Sequence, residues 1–442
     1  MMKRLVVLFV ALWAAAGAAK AELSIDITGA RSEPMAVALP EFSSNNAKAK
    51  ELAGKIGGVI QSDLESSGLF RILDSFSYLQ KFKGIDDAPR FVDWQAIHAE
   101  ALVQGQVEYL NPQHIRVSFR LWDVYAAQEL SSVALEIDDK GWRRVAHIIA
   151  DTIYKRITGE EGYFDTRIVY IAETGPATSR IKRLAIMDQD GENHQFLTDG
   201  LNLVLTPRFS PNMQQITYMS YYRDTPRVYL FDIETGKQQV VGDFPGMTFA
   251  PRFSPDGHKL IMSMADNGNT DIYEMNLDTR VVRQLTRYPS IETSPSYSPD
   301  GKKIVFNSDR SGGQQLYVMD ANGKNVKRIS FGRGGRYATP VWSPRGDYIA
   351  FTKMSGGKFY IGVMFPDGTG ERLVAEGYLV EAPTWSPNGR ILMYFRQDPP
   401  DRNGIPGATK IYAVDITGYN ERRLITPVDA SDPAWSPLLS NR

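Results

Sequence analysis

The hydrophobic and polar positions follow two different patterns along the chain. From about residue 165 onward, short apolar runs alternate with turn residues and show no helical periodicity. This part repeats the motif Pro-x-aromatic-Ser-Pro, and successive second prolines lie 43 to 50 residues apart. The six copies occupy residues 207–211, 251–255, 295–299, 340–344, 383–387 and 433–437. Short apolar runs bounded by such turns are typical of β-strands.

Each repeat predicts four antiparallel strands. In three copies Asp-Gly or Asn-Gly follows the motif, as tight hairpin turns favour. Units of this length indicate propeller blades, since a lone four-stranded sheet would leave apolar faces in water. The first repeat lacks an inner strand, and no second, third or fourth strand follows the motif at 433–437. We therefore predict an all-β six-bladed β-propeller over residues 165–442, closed by the C-terminal strand; a linear solenoid is the alternative.

Residues 22–160 predict an N-terminal α/β domain. Apolar residues at helical spacing predict helices over 47–67 and 142–158, which end at Gly68 and Gly159, and a short helix over 94–101. Strands are predicted at 35–39 and 69–73, with a hairpin over 114–122 and 130–137. The fold class is thus an α/β domain followed by a propeller.

The first 21 residues predict an export signal. A basic start is followed by an apolar run of about a dozen residues, and Ala19 and Ala21 occupy the -3 and -1 positions of a cleavage site. This run is too short to span a bilayer. Cleavage would leave Glu22 as the first residue. The absence of cysteine favours the bacterial periplasm as the compartment to which the protein is exported.

Composition and motifs exclude several classes of function. The chain has 50 basic and 51 acidic residues, so it lacks the cationic excess of a nucleic-acid binder. Without cysteine there are no disulfides, thiolate nucleophiles or cysteine-based zinc sites. No glycine has a serine two residues later, which excludes the hydrolase nucleophile elbow, and no P-loop sequence is present.

Metal and cofactor sites are likewise not predicted. The five histidines, His98, His114, His147, His194 and His258, lack the spacing of metal ligands. Residues 266–271 carry alternating oxygen ligands but lack the glycine and glutamate of a calcium loop, so we expect a hairpin turn. We predict a non-enzymatic protein without cofactor or metal. The alternative is a propeller hydrolase or lyase, or a substrate-filter subunit of a peptidase.

The repeat, the export signal, the N-terminal domain and the lack of a hydrolase domain together resemble the TolB family over essentially the whole chain. Two copies, at 211–213 and 344–346, depart from the Asp-Gly turn. The resemblance implies a monomeric periplasmic scaffold of the Tol-Pal system that supports outer-membrane invagination at division. It implies that the propeller channel mouth binds the lipoprotein Pal and that the mature N-terminus binds TolA. Other outer-membrane proteins are further candidate partners.

The implied TolA site falls on the start of an exposed segment, 22–33. Its residues are Glu22, Leu23, Ser24, Ile25, Asp26, Ile27 and Thr28. The alternating apolar pattern suits strand addition to a partner sheet, but it suits an edge strand within the domain equally well.

The implied Pal site falls on loops that converge around the propeller axis before each motif. Its residues are Thr206, Thr248, Phe249, Glu292, Thr293, Arg336, Tyr337, Thr339, Glu381, Asp429 and Asp432. Mixed polar groups with two aromatic residues suit a protein interface. If the protein is instead an enzyme that acts in the channel, its catalytic carboxylates would come from Glu292, Glu381, Asp429 and Asp432.

Overall fold

The computed structural model describes residues 23–25, 33–212, 215–222, 225–242, 244, 247–266, 268–332 and 334–439. The predicted export signal with Ala19 and Ala21, and four residues of the predicted TolA site, namely Glu22, Asp26, Ile27 and Thr28, lie outside these residues.

The N-terminal domain is built on one mixed sheet. Its strands are β1 (Met35–Ala38), β2 (Ser43–Ser44), β3 (Phe70–Ile72), β4 (Ala101–Asn111), β5 (His114–Asp123) and β6 (Gln128–Asp138). They lie in the order β3-β1-β4-β5-β6, with β2 beside β4. Strand β1 runs parallel to both neighbours, while β4, β5 and β6 form antiparallel hairpins. The predicted hairpin is confirmed, and β4 extends it by a strand that the pattern did not indicate.

Among the described residues, three α-helices complete this domain: α1 (Ala47–Ser66), α2 (Phe91–Ala96) and α3 (Trp142–Thr158). Apolar faces of α1 and α3 pack together with the sheet in one core. Asn46 caps α1 by accepting the Ala49 N–H at 2.9 Å. Helix α3 ends at Gly159, whose φ of +74° suits glycine. The helix predicted over 94–101 is wrong in both bounds, because α2 begins at Phe91 and stops at Ala96.

The propeller consists of six four-stranded antiparallel sheets within the described residues. The first blade region contains β7 (Arg167–Thr174), β8 (Ile181–Asp188) and β9 (Gln195–Phe196). The next two blades contain β10 (Leu203–Phe209), β11 (Gln215–Tyr222), β12 (Thr225–Asp232) and β13 (Gln238–Gly242), then β14 (Met247–Phe253), β15 (Lys259–Asp266), β16 (Asn269–Asn276) and β17 (Val282–Gln284).

The remaining strands repeat this order from the axis outward. They are β18 (Glu292–Tyr297), β19 (Lys303–Ser308), β20 (Gln315–Asp320) and β21 (Lys327–Arg328), then β22 (Arg336–Trp342), β23 (Ile349–Ser355), β24 (Lys358–Met364) and β25 (Arg372–Gly377), then β26 (Leu379–Trp385), β27 (Ile391–Gln397), β28 (Thr409–Asp415) and β29 (Arg422–Arg423), and finally β30 (Asp429–Trp435). Strand β30 pairs antiparallel with β7 and completes the first blade. The predicted fold class and ring closure are confirmed.

Every inner strand bulges at the residue before the first proline of its motif. The register shifts there in all six inner strands. The six residues have positive φ: Thr206 (+49°), Ala250 (+47°), Ser294 (+55°), Thr339 (+44°), Ala382 (+55°) and Asp432 (+48°). Left-handed φ is costly for non-glycine residues, so the sheet must hold each bulge in place. The bulge also explains why a proline is tolerated inside this strand: proline cannot donate a ladder hydrogen bond, and a bulge interrupts the ladder.

The motif serine organises the turn that follows each inner strand. In one repeat, Ser254 Oγ donates to Asp256 at 2.5 Å and accepts the Lys259 N–H at 3.0 Å. Two of the motif copies that lack Asp-Gly keep this arrangement with other acceptors. Ser210 bonds Asn212 at 2.5 Å, and Ser343 bonds Asp347 at 2.9 Å. The turn therefore depends on an oxygen acceptor near the serine rather than on one fixed sequence.

The N-terminal domain packs against the end of the propeller that carries these Ser-Pro turns. Asn388, in one such turn, donates to the Glu161 carbonyl at 2.8 Å, and Arg345, in another, pairs with Glu160 at 2.7 Å. One apolar core runs from α1 and α3 into the closing blade. We call this the Ser-Pro end. The opposite end, where the inner strands begin, is the channel mouth.

Candidate protein-binding surface at the channel mouth

All eleven residues of the predicted Pal site lie in the inner strands themselves, rather than in loops before them. The inner strands begin several residues ahead of the motif proline, as β10 does at Leu203 and β22 at Arg336. Successive side chains of a strand point to opposite faces, so only part of the predicted ring can face a partner.

Exposure separates the predicted residues into two groups. Arg336 is exposed, and seven are partly exposed: Thr206, Phe249, Thr293, Thr339, Glu381, Asp429 and Asp432. Thr248, Glu292 and Tyr337 are buried. The Tyr337 hydroxyl donates to Glu371 at 2.8 Å, and its ring packs on Phe351 with centroids 5.3 Å apart. The expectation that these three would face a partner is wrong, because the strand turns them inward.

Glu292 supports the mouth from within. Its carboxylate is completely buried and receives Arg310, Ser290 at 3.1 Å and Ser308 at 3.3 Å. The same Arg310 guanidinium lies 4.7 Å from the centre of the Tyr288 ring. This ion pair therefore fixes the loop on which Tyr288 is displayed.

The other carboxylates differ in how they are neutralised. Asp429 pairs with Arg180 at 3.1 Å and with Lys410 at 3.0 Å. Glu381 has no such ion pair among the described residues; burial and the charge of Asp432 raise its pKa to about 7. Burial also raises the pKa of Asp432, although Arg208 and Lys182 oppose that rise. The mouth thus contains two carboxyl groups that bind protons more readily than usual.

Sequence reasoning missed a set of exposed apolar residues in the connections that lead into the inner strands. The set includes Leu201 (83 % exposed), Tyr288 (48 %), Ile291 (46 %) and Tyr378 (51 %). Each stands among turn and polar residues, which a pattern search treats as loop and passes over. Exposed aromatic and aliphatic side chains inside a polar rim are typical of protein interfaces.

A second cluster lies between the domains. His147 of α3 contacts Asp63 of α1 at 2.6 Å, and Gln189 donates to the same carboxylate at 2.9 Å. Ligand atoms of His147, Asp63 and Asp190 lie within 4.8 Å of one another, but Arg143 already pairs with Asp190. Burial opposes protonation, yet the bond to Asp63 and its charge outweigh it and raise the pKa of His147 to about 8. This cluster is a polar bridge between domains.

The described part of the predicted TolA site is docked. Leu23 and Ile25 pack against the apolar core, while Ser24 is exposed. The Ile25 N–H donates to the carbonyl of Ile157 in α3 at 3.1 Å. Among the described residues, no helix is long and apolar enough to cross a membrane.

Comparison with known proteins shows which family the chain belongs to. A family model described as the TolB amino-terminal domain matches residues 23–130, and one described as the TolB beta propeller domain matches residues 154–439. A relative from Paramagnetospirillum magneticum, named Tol-Pal system protein TolB, is 58% identical over 421 residues, which cover 95% of this chain and 94% of that protein. A protein of the same name from Gluconobacter oxydans is 48% identical, with 96% and 90% covered.

A solved structure gives the same result. The crystal structure of TolB from Acinetobacter baumannii superimposes with a TM-score of 0.79 at 28% identity and covers 94% of this chain and 100% of that one. Both matched domains and the order in which they occur agree with the architecture described above. The chain belongs to the TolB family.

Proposed function

We propose that this protein is a non-catalytic periplasmic scaffold of the Tol-Pal system that binds Pal at the channel mouth and TolA through its mature N-terminus. Its relatives carry the name of that system, and its first 21 residues have the pattern of an export signal. In this role it links envelope proteins and supports outer-membrane invagination during division.

The exposed apolar set at the channel mouth carries the proposal for Pal. Leu201, Tyr288, Ile291 and Tyr378 lie beside partly exposed polar residues of the inner strands, at the end that the N-terminal domain leaves free. Aromatic anchors within a polar rim provide most of the binding energy in typical interfaces. Thr248, Glu292 and Tyr337 support this surface from beneath.

Calorimetric titration with the soluble domain of Pal from the same organism tests this. Tyr378→Ala is compared with Tyr419→Ala, since Tyr419 is 58 % exposed at the opposite end of the same blade. We expect Tyr378→Ala to weaken binding about tenfold or more, the effect of losing an interface anchor. Tyr419→Ala should bind as the unmodified protein does. Equal affinities for the three proteins, or no binding at all, would refute the proposal.

The proposal for TolA rests on the alternating segment 22–28. Leu23 and Ile25 face the core in this structure, so strand addition to a partner requires them to leave α3. A variant that lacks residues 22–28 should lose TolA binding, while its propeller unfolds at the same temperature. A deletion variant that binds TolA with undiminished affinity would show that the site lies elsewhere.

A further inference from the structure

Two arginines occupy equivalent positions in neighbouring blades. Arg208 and Arg252 are the x residues of the first two Pro-x-aromatic-Ser-Pro motifs, in β10 and β14. Both line a cavity of about 410 Å³ at the Ser-Pro end of the channel, to which motif residues of all six inner strands contribute. The other four x positions hold smaller residues, namely Ser296, Val341, Thr384 and Ala434. The smaller side chains leave space in the cavity beside the two long cationic side chains.

Neither guanidinium forms an ion pair with a carboxylate of the described residues. Arg208 donates to the Pro207 carbonyl at 2.6 Å, and the Nε of Arg252 is buried without a hydrogen-bond partner. Burial lowers the pKa of both groups, and the charge of Arg208 lowers that of Arg252 further. The charge of Asp432 offsets part of this effect at Arg208, whereas no carboxylate of the described residues does so at Arg252. By contrast, Arg310 is paired with Glu292. A partly buried cation without a counter-charge is costly, and an anion in the cavity would lower that cost.

Two hydroxyl groups add hydrogen-bond donors to the same cavity. The oxygen of Ser296 accepts the Trp342 N–H at 3.2 Å, and that of Thr384 accepts the Trp435 N–H at 3.3 Å. These bonds fix both oxygens in position. Neither hydroxyl donates to another group of the described residues, so both protons are available to a ligand.

We propose that this cavity binds a phosphate group, free or as the monoester of a small molecule, through Arg252 and Arg208 with help from Ser296 and Thr384. The planar guanidinium fork matches the oxygens of a phosphate, and two cations match its double charge. The volume lies within the range of small-molecule sites and leaves room for an ester group. The site lies at the other end of the channel from the proposed Pal surface and does not rest on it.

The test is calorimetry and thermal unfolding of the purified protein with inorganic phosphate and, separately, with glycerol 3-phosphate, at constant ionic strength. The variant is Arg252→Met, and the matched control is Arg402→Met, an exposed arginine of the loop between β27 and β28. We expect one saturable site that raises the melting temperature of the unmodified protein and of the control. Arg252→Met should bind at least about tenfold more weakly and, without anion, melt above the unmodified protein.

The two ligands distinguish the source of the phosphate. Tighter binding of glycerol 3-phosphate indicates a monoester, and equal or tighter binding of inorganic phosphate indicates the free ion. Absence of saturable binding of both at about 10 mM would overturn the proposal, as would unchanged affinity in Arg252→Met. If that variant does not fold, Arg252→Lys keeps the charge without the fork, and affinity equal to that of the unmodified protein would overturn the proposal.

Discussion

Replacing Glu381 with glutamine should stabilise the protein at neutral and alkaline pH. Glu381 lies partly buried in β26 near Asp432, and no cation of the described residues pairs with it. Glutamine has nearly the same shape as the protonated carboxyl group and carries no charge. The substitution therefore removes only the cost of ionising this side chain in the folded protein.

The magnitude follows from the pKa of Glu381, which burial and Asp432 raise from 4.5 to about 7. A carboxyl group that binds its proton more tightly when folded contributes stability that is present below pH 4.5 and is lost as the pH rises from 4.5 to 7. Each pKa unit corresponds to about 1.4 kcal/mol, so the loss reaches about 3 kcal/mol as an upper bound. Because Glu381 is partly exposed, solvent screens part of this charge, so we expect about 1–3 kcal/mol.

Chemical denaturation at several pH values between 4.5 and 8 measures this difference. Glu381→Gln and the unmodified protein should be equally stable near pH 4.5, and the variant should become more stable as the pH rises. Glu376→Gln serves as the control, because that residue forms an exposed ion pair with Lys358 and should change stability by less than about 0.5 kcal/mol. A Glu381→Gln variant that is no more stable at pH 8 would refute the electrostatic reasoning.

Three further predictions concern the fold. His147→Gln breaks the buried pair with Asp63 and should lower the free energy of unfolding at pH 6 by about 3–5 kcal/mol, as measured by denaturant titration. In the unmodified protein, the raised pKa of His147 contributes about 2 kcal/mol of stability. This contribution is present below pH 6.5 and is lost as the pH rises through about 8. Ala250→Gly relieves a left-handed residue and should raise stability by up to about 1 kcal/mol, whereas a decrease would show that the bulge is not strained. Trp435→Ala removes a buried side chain of the closing strand β30 together with its 2.8 Å hydrogen bond to Thr166, and should lower the free energy of unfolding by about 3–5 kcal/mol in the same assay. A decrease below about 1 kcal/mol would show that this contact contributes little to ring closure.

The sequence predicts the propeller well because each blade repeats the same local chemistry. Short apolar runs, the Ser-Pro turn and the missing first strand suffice to predict six blades and their closure, which β30 and β7 confirm. The six bulges could not be predicted from the sequence. The residue with positive φ is threonine, alanine, serine or aspartate in different blades, so no residue type marks the position. Only the paired sheet imposes that conformation.

The N-terminal domain shows the limits of periodicity more clearly. Strand β4 has no simple alternation because it is covered on both faces. Gln104 is fully buried and donates to three backbone carbonyls, and Gly105 lies so close to Phe42 that an added Cβ would stand 2.3 Å from the ring. Two polar or small residues in a buried strand hide it from a pattern search.

The candidate site was predictable in position but not in detail. Its location around the axis follows from the topology, whereas the inward orientation of Tyr337 and Thr248 depends on where each inner strand begins. The arginines at 208 and 252 occupy the variable position of the motif, which the repeat pattern treats as a spacer. Their proximity becomes visible only when the two neighbouring blades are packed side by side.

Hydrogen exchange of the protein with and without the Pal domain tests whether Pal binds at the channel mouth, because it maps the contact surface without any substitution. We expect saturating Pal to slow exchange in the segments that border the channel mouth, 199–206, 286–293 and 376–382, and to leave exchange in the Ser-Pro turns at 255–258 and 387–390 unchanged. Protection confined to the Ser-Pro end, or no protection under saturating conditions, would contradict this expectation.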